Sequence, residues 1–296
     1  MDCNLTRRGF LKETAWIGMA TTALNATGRA GAAPQPKGTL PKIKLGDLEV
    51  SRLILGSNPF FGFSHQGKEK DEEMREYYTD ERIMAVLDEA AALGVTAVAA
   101  PPYERWIALF AKYIANGGKL RIWIAQPDVE PEKMKAAIAD AAKGGAKAIF
   151  VQGACVERQF RENHLDVLRD WVESIRSFNV PAGLASHRPD VHLAAEERGF
   201  PTDFYFQCFF QPGAGDTYNM EDREKAVATI RKIDKPVVGY KILAAGRLSP
   251  EEGFEFAFRN LREKDGVCVG VYPNSKSAMM EEDVALAVQM SRIRSK

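Results

Sequence analysis

The chain of 296 residues has no surplus of either charge: 40 Lys and Arg balance 40 Asp and Glu. Without a basic excess, nothing points to a nucleic-acid partner. Histidine is scarce, with four in all. No His-x-x-x-His or Cys-x-x-Cys spacing occurs, so a metal would have to be held by residues far apart in sequence. Cysteine is also scarce. Cys155, Cys208 and Cys268 each lie inside an apolar run, and these read as small buried hydrophobes, which excludes a disulfide framework. No G-x-G-x-x-G follows any apolar run, which argues against a doubly wound nucleotide-binding sheet. No apolar stretch approaches the ~20 residues of a bilayer crossing.

What is present begins with a segment that reads as a transport signal. Arg7 and Arg8 precede Phe10, Leu11 and Lys12; a weakly apolar run from Ala15 to Ala20 follows; Ala30, Gly31 and Ala32 supply small residues for cleavage. A charged start, an apolar middle and a small-residue exit describe a secretory signal. The paired arginines resemble the twin-arginine export signal. Residues 1–33 are therefore expected to be a cleavable signal peptide read by the twin-arginine export machinery. Residues 34–41 are expected to form a linker, and the mature protein is expected to be periplasmic without a membrane span. Without the signal, Cys3 is gone and 36 basic and 38 acidic residues remain, a formal charge of −2. The remainder suffices for one large domain with a deep core.

From residue 42 to 296 two patterns alternate. The runs SRLILGS, VTAVAAP, LRIWIAQ, KAIFVQG, VPAGLAS, DFYFQCF, KPVVGYK and GVCVGVY are short and continuously apolar, as buried parallel strands are. Between them apolar residues recur every three or four positions, as in Ile83, Val86, Leu87 and Ala90, or Leu165, Leu168, Val172 and Ile175. Thr79, Pro131 and Ser249-Pro250 mark helix starts. Eight strand–helix units predict an α/β fold, a single (β/α)8 TIM barrel over residues 42–296. Ahead of it, KIKLGDLEV (Lys42–Val50) alternates around Gly46-Asp47 and predicts a β-hairpin plugging the barrel's N-terminal mouth.

Active sites of such barrels form at the C-terminal ends of the strands. Those ends read Asn58; Tyr103-Glu104; Gln126 with Asp128; Gln152; Ser186-His187; Gln207; Tyr240-Lys241; and Tyr272 with Asn274. Buried polar groups are costly unless partnered, so a ring of them at one mouth suggests a ligand site. Asn58, Gln126, Asp128 and Gln152 are the candidate substrate-binding residues. Phe60, Phe61, Phe63, Tyr77, Tyr78, Phe209 and Phe210 in the adjoining segments either wall the cleft or pack the loops down. His187 near Glu104 or Asp128 suits a general base. His164 and His192 fall in predicted helices and read as surface residues.

LEVSRLILGS, GLASHRPDVHLAAEERG, FYFQCFFQ and VVGYKILAAGRL resemble segments of the aldo-keto reductases. That resemblance implies a reductase of a small carbonyl or sugar-like compound using NADP or NAD. It implies that Ser186 and Gln207 hold the nicotinamide carboxamide and that Tyr240 stacks on the ring. Tyr103 matches the family's proton-donating Tyr. The family's Asp, Lys and His are replaced by Val98, Gln126 and Gln152, and its Asn by His187. A nearby Lys⁺ lowers a phenol's pKa from ~10; without it Tyr103 is a plain hydrogen-bonding phenol. Lys241 either supplies the missing cation, acts as an amine nucleophile, or pairs with a carboxylate. Ser275 and Lys276 lie where the family binds the adenosine phosphate, and serve either that phosphate or an ordinary helix cap. Three functions stay open: a nicotinamide-dependent oxidoreductase; a lyase, isomerase or hydrolase in which Tyr103, Glu104, His187 and Lys241 do acid–base work; and a binding protein without catalysis.

Overall fold

The computed structural model describes residues 38–211 and 218–293. The expected signal peptide and residues 34–37 of the expected linker lie outside the described residues. The rest of that linker packs on the domain: Leu40 is buried, and the Pro41 carbonyl accepts from the Arg52 N–H at 2.8 Å.

Strands β1 (Lys42–Leu45) and β2 (Leu48–Ser51) pair antiparallel, Lys42 opposite Ser51 and Leu45 opposite Leu48. The turn between them uses Gly46 at a φ of 64°, a left-handed value that glycine adopts without cost. Eight further strands close a parallel barrel: β3 (Leu53–Gly56), β4 (Ala97–Ala100), β5 (Ile122–Ala125), β6 (Ala148–Val151), β7 (Ala182–Ser186), β8 (Phe204–Cys208), β9 (Val237–Tyr240) and β10 (Gly266–Val269), with β10 pairing β3. These are the eight apolar runs.

The helices surround it: α1 (Lys68–Tyr77), α2 (Asp80–Ala92), α3 (Glu104–Ala115), α4 (Met134–Lys143), α5 (Gly153–Arg161), α6 (Leu165–Arg176), α7 (Pro189–Glu197), α8 (Met220–Ile230), α9 (Pro250–Asn260) and α10 (Met279–Ile293). On α2 the stripe Ile83, Val86, Leu87 and Ala90 is buried; burying one such branched side chain is worth ~1.5–3 kcal/mol. The Thr79 and Ser249 hydroxyls cap α2 and α9 through the Arg82 and Glu252 N–H groups. Helix α1 occupies what reads as a long loop, because KEKDEEMREY buries only Met74 and shows no apolar stripe.

Two cores result. One lies between barrel and helices. The other fills the barrel, where Ile54, Ala97, Ile124, Phe150, Phe206 and Val238 meet the hairpin's Ile43, Leu45 and Val50. The hairpin therefore closes the N-terminal end, as the sequence predicts. Phe150 and Phe206 stack there at 4.0 Å.

The same end holds two ionic networks built from residues that precede strands. Asp265 has no exposure. Its carboxylate accepts from the Val237 N–H at 2.9 Å and from the Arg262 N–H, Nε and Nη2 at 2.8, 2.7 and 2.7 Å. Lys235 donates to Glu196 Oε1, Thr202 Oγ1 and the Phe200 carbonyl at 2.6, 2.9 and 3.1 Å.

Candidate functional site at the barrel mouth

At the other end, β6 runs into α5 with Gln152 alone between them. Gln152 turns its Oε1 onto the N–H groups of Ala154 and Cys155 at 2.7 and 3.2 Å, so it caps α5 with the side chain expected to bind substrate. Gly153 and Glu157 then lie one turn apart on one helix face.

Glu157 is the residue of this candidate site that sequence reasoning missed. Its Oε1 accepts from the Ser186 hydroxyl at 2.9 Å, the His187 N–H at 2.5 Å and His187 Nδ1 at 3.1 Å. Burial pushes this carboxyl's pKa up, but the hydrogen bonds and charge of His187, joined by Ser186, outweigh burial and leave it below its ordinary value. Against an ionised Glu157, Nδ1 of His187 is the nitrogen that carries the proton and donates, which leaves Nε2 as the acceptor of the neutral ring. The His187 side chain is 18% exposed. Its carboxylate partner is thus Glu157, and neither Glu104 nor Asp128.

Tyr240 packs on the barrel's inner core from above. Its ring meets that of His187 edge to face at 5.7 Å and 70°. Gly153 permits this: a Cβ there would stand 3.3 Å from both His187 Nδ1 and the Tyr240 hydroxyl. In register, Tyr240 lies between Cys208 and Cys268. Burial, then the neighbouring Cys208 and Glu157, push the phenol well above its usual range, so Tyr240 is a neutral donor. Burial likewise pushes the Cys208 thiol up to about 12, and the charge of Lys241 is the main influence opposing it. Lys241 is half-buried and left-handed, with a φ of 55°, and its ammonium group is felt beside Tyr240.

Across the mouth, the Tyr103 hydroxyl donates to Asp128 Oδ2 at 2.5 Å. Burial raises the Asp128 carboxyl above its ordinary value despite this bond; burial, then Asp128, raise the Tyr103 phenol. Asp128 Oδ1 is buried without a partner. Gln126 is half-buried two residues beyond Ile124, which faces the barrel interior, and strand alternation gives it the same side. Asn58 opens a short 3-10 turn, Asn58–Phe61, and is half-buried. Phe61 meets Tyr103 edge to face at 5.2 Å, and Phe63 is 44% exposed. Phe60, Tyr78, Phe209 and Phe210 are buried and pack the loops, so the aromatic set divides between the two roles expected of it.

Other expected site residues lie elsewhere. Glu104 is exposed at the start of α3. Tyr272 and Asn274 are tied to Glu73 of α1 at 2.8 and 3.3 Å. His192 has no exposure and donates from Nε2 to the Phe206 carbonyl, 3.1 Å away; it is a core residue rather than a surface one, because α7 turns that face to β8.

The nicotinamide cofactor implied by the resemblance does not fit these residues as they stand. Ser186 and Gln207 have no exposure. The Ser186 hydroxyl is bonded to Glu157 and to the Arg188 N–H. Gln207 faces away from the mouth, giving Nε2 to the Cys208 and Ser186 carbonyls at 2.9 and 3.4 Å and leaving Oε1 buried without a partner. Helix α10 begins at Met279, so Ser275 and Lys276 do not cap it. Lys276 is bound by both Glu282 oxygens at 2.6 Å, and Glu281 and Glu282 fill the first helical turn, where negative charge opposes a phosphate. Glu281 also bonds Glu89 of α2, whose carboxyl is pushed up to about 7 by burial and then by the Glu281 charge. Among the described residues no three His, Cys, Asp or Glu converge as a metal-ligand set, and no helix is long and apolar enough to cross a membrane.

No family model and no curated protein matches this chain. Solved structures do share its fold. A proposed aldo-keto reductase from Pseudomonas aeruginosa is 18% identical with a TM-score of 0.60, covering 86% of this chain and 98% of its own. A truncated 3-deoxy-D-arabino-heptulosonate 7-phosphate synthase from Thermotoga maritima is 14% identical, with a TM-score of 0.53 and coverage of 87% and 93%. Orotidine 5'-monophosphate decarboxylase from Methanocaldococcus jannaschii is 14% identical, with a TM-score of 0.53 and coverage of 85% and 99%. At such identity the likeness is one of fold, and this barrel hosts many chemistries: the chain is a TIM barrel similar in architecture to reductases, a synthase and a decarboxylase alike.

Proposed function

We propose that this protein is an acid–base enzyme, an isomerase or lyase acting on a small sugar-like carbonyl compound at the barrel mouth. The observation that carries this reading is the Glu157–His187 pair set against the Tyr240 hydroxyl. Nε2 of His187 removes a proton from the carbon beside the substrate carbonyl. Glu157 stabilises the imidazolium that results, in the manner of the carboxylate of a catalytic triad. Tyr240 donates to the carbonyl oxygen as negative charge develops there. A placed base contributes ~10²–10⁴-fold, and one preorganised donor ~10²–10³-fold. Asn58, Gln126 and the Asp128–Tyr103 pair offer amide and carboxyl contacts to hydroxyl groups, and Phe61 and Phe63 offer an apolar edge, a combination suited to a sugar.

A second reading, a nicotinamide-dependent carbonyl reductase, is favoured by one observation: Tyr240 ends the seventh barrel strand at the mouth, where the resemblance places the stacking aromatic. It requires Ser186, Gln207 and Lys276 to exchange their present partners. For either chemistry, export rests on Arg7-Arg8 and the apolar run behind them. Fractionation of cells carrying Arg7→Lys with Arg8→Lys tests it; retention of the precursor inside is expected.

The main test is a melting-shift screen of aldoses, ketoses and sugar acids. Exchange of the substrate's carbon-bound proton with deuterated water is then followed by NMR. His187→Ala and Glu157→Gln are expected to slow exchange ~10²-fold or more with the fold intact. Full exchange in His187→Ala refutes the assignment. A reduced dinucleotide co-purifying with the protein supports the second reading.

A further inference from the structure

Two segments roof the mouth above β10. The first follows β3. Its Pro59 lies over the end of β10, since a Cβ on Gly270 would come within 2.7 Å of Pro59 Cδ. Farther on it reaches His65, left-handed with a φ of 56°. The second segment follows β9, and its residues Ala244, Ala245 and Gly246 are left-handed in succession, with φ of 47°, 53° and 81°. Left-handed residues other than glycine are normally single and disfavoured. Such a turn persists only where its surroundings hold it.

What holds it is a set of bonds to the first segment. Gln66 Nε2 donates to the Ala245 carbonyl at 2.8 Å, and Arg247 Nη2 donates to the His65 carbonyl at 2.9 Å. Arg247 also donates to the Ala244 carbonyl at 3.2 Å and sets its guanidinium 4.4 Å from the Tyr218 ring, on the segment after β8. One exposed arginine thus ties together the connections that follow three different strands. Tyr240 ends the strand that leads into the second segment; opposite it in register lies Cys268, whose Sγ is 3.3 Å from the Cβ position of Gly56, the last residue before the first segment. The linking bonds are exposed and individually weak, and they act against a strained turn.

We propose that Arg247 and Gln66 form a clasp that opens and closes the Tyr240 side of the mouth, and that Arg247 is a positioning residue for the turn carrying Lys241. The clasp stands independently of the reaction assigned to the mouth.

Hydrogen exchange by mass spectrometry on the purified protein tests this, together with the labelling rate of Cys268 by iodoacetamide. Arg247→Ala is expected to speed exchange about tenfold in residues 58–67 and 241–248 together, as for local opening of a cooperative unit, and to speed Cys268 labelling. Exchange in β9 and labelling of Cys155 should not change. Gln66→Ala should act on both segments to a smaller degree, and it serves should Arg247→Ala fold poorly. Ala245→Gly added to either variant should restore part of the protection, because glycine relieves the strain that opposes closure. Faster exchange in one segment alone, or unchanged Cys268 labelling in both variants, overturns the proposal.

Discussion

The two ends of this barrel treat buried charge in opposite ways. At the N-terminal end, Asp265 has each oxygen committed to two donors, and Lys235 is shared among three acceptors. At the mouth, Asp128 keeps a buried oxygen without a partner among the described residues, and Glu157 crowds three donors onto one oxygen. The first arrangement satisfies every group and has nothing left to offer a ligand. The second leaves valence and a displaced proton equilibrium, the condition of residues that act on something else. Residues before the strands hold the barrel together, and those after them are available for chemistry.

The comparison breaks most visibly at Asp265. Asp265→Ala strands the partly buried Arg262 and the Val237 N–H, and is expected to cost ~3–5 kcal/mol, the loss typical of removing one partner of a buried pair. Denaturant unfolding measures it; a loss under about 1 kcal/mol would mean that the N-terminal network is not structural. Less severe is the effect of pH through Glu89. Its folded pKa of about 7 lies above the ordinary carboxylate value. The stabilisation is therefore complete below the unfolded value and is lost as pH rises through about 7. Because the group is partly exposed, the loss between pH 5 and 8 is ~1–2 kcal/mol. Melting curves across that range should fall in wild type and flatten in Glu89→Gln. The smallest effect on stability belongs to Gly153→Ala. An alanine in the first helical turn is worth up to ~1 kcal/mol of helix propensity, yet its Cβ presses on His187 and Tyr240 at 3.3 Å. The variant should melt at or slightly above wild type while proton exchange on the substrate drops; equal turnover would show that the His187–Tyr240 spacing is not critical.

The barrel is legible in the sequence because its strands are buried on both faces and read as unbroken apolar runs. Helix α2 is legible because it packs one stripe on those strands. Helix α1 is not, because it rides on the surface with Met74 alone buried. The strand ends are legible as places, and two of the residues read there, His187 and Tyr240, meet in the structure. Glu157 is hidden: within GACVERQF it looks like any helix charge, and its meaning comes from a contact 30 residues away. A signal exists in hindsight, since Gly153 and Glu157 are four apart on a helix that starts at a strand end. Ser186 and Gln207 mislead for a related reason. Adjacent strand residues face opposite ways, and these two fall on the side away from the mouth while His187 and Tyr240 fall toward it.

The hairpin of β1 and β2 has a kinetic consequence. Ile43, Leu45 and Val50 cap a barrel interior that is already packed with side chains, so a ligand at the strand ends has the opposite mouth as its one approach. Under the proposed reaction, product would leave by the path along which the next substrate arrives, and product inhibition is expected to be competitive.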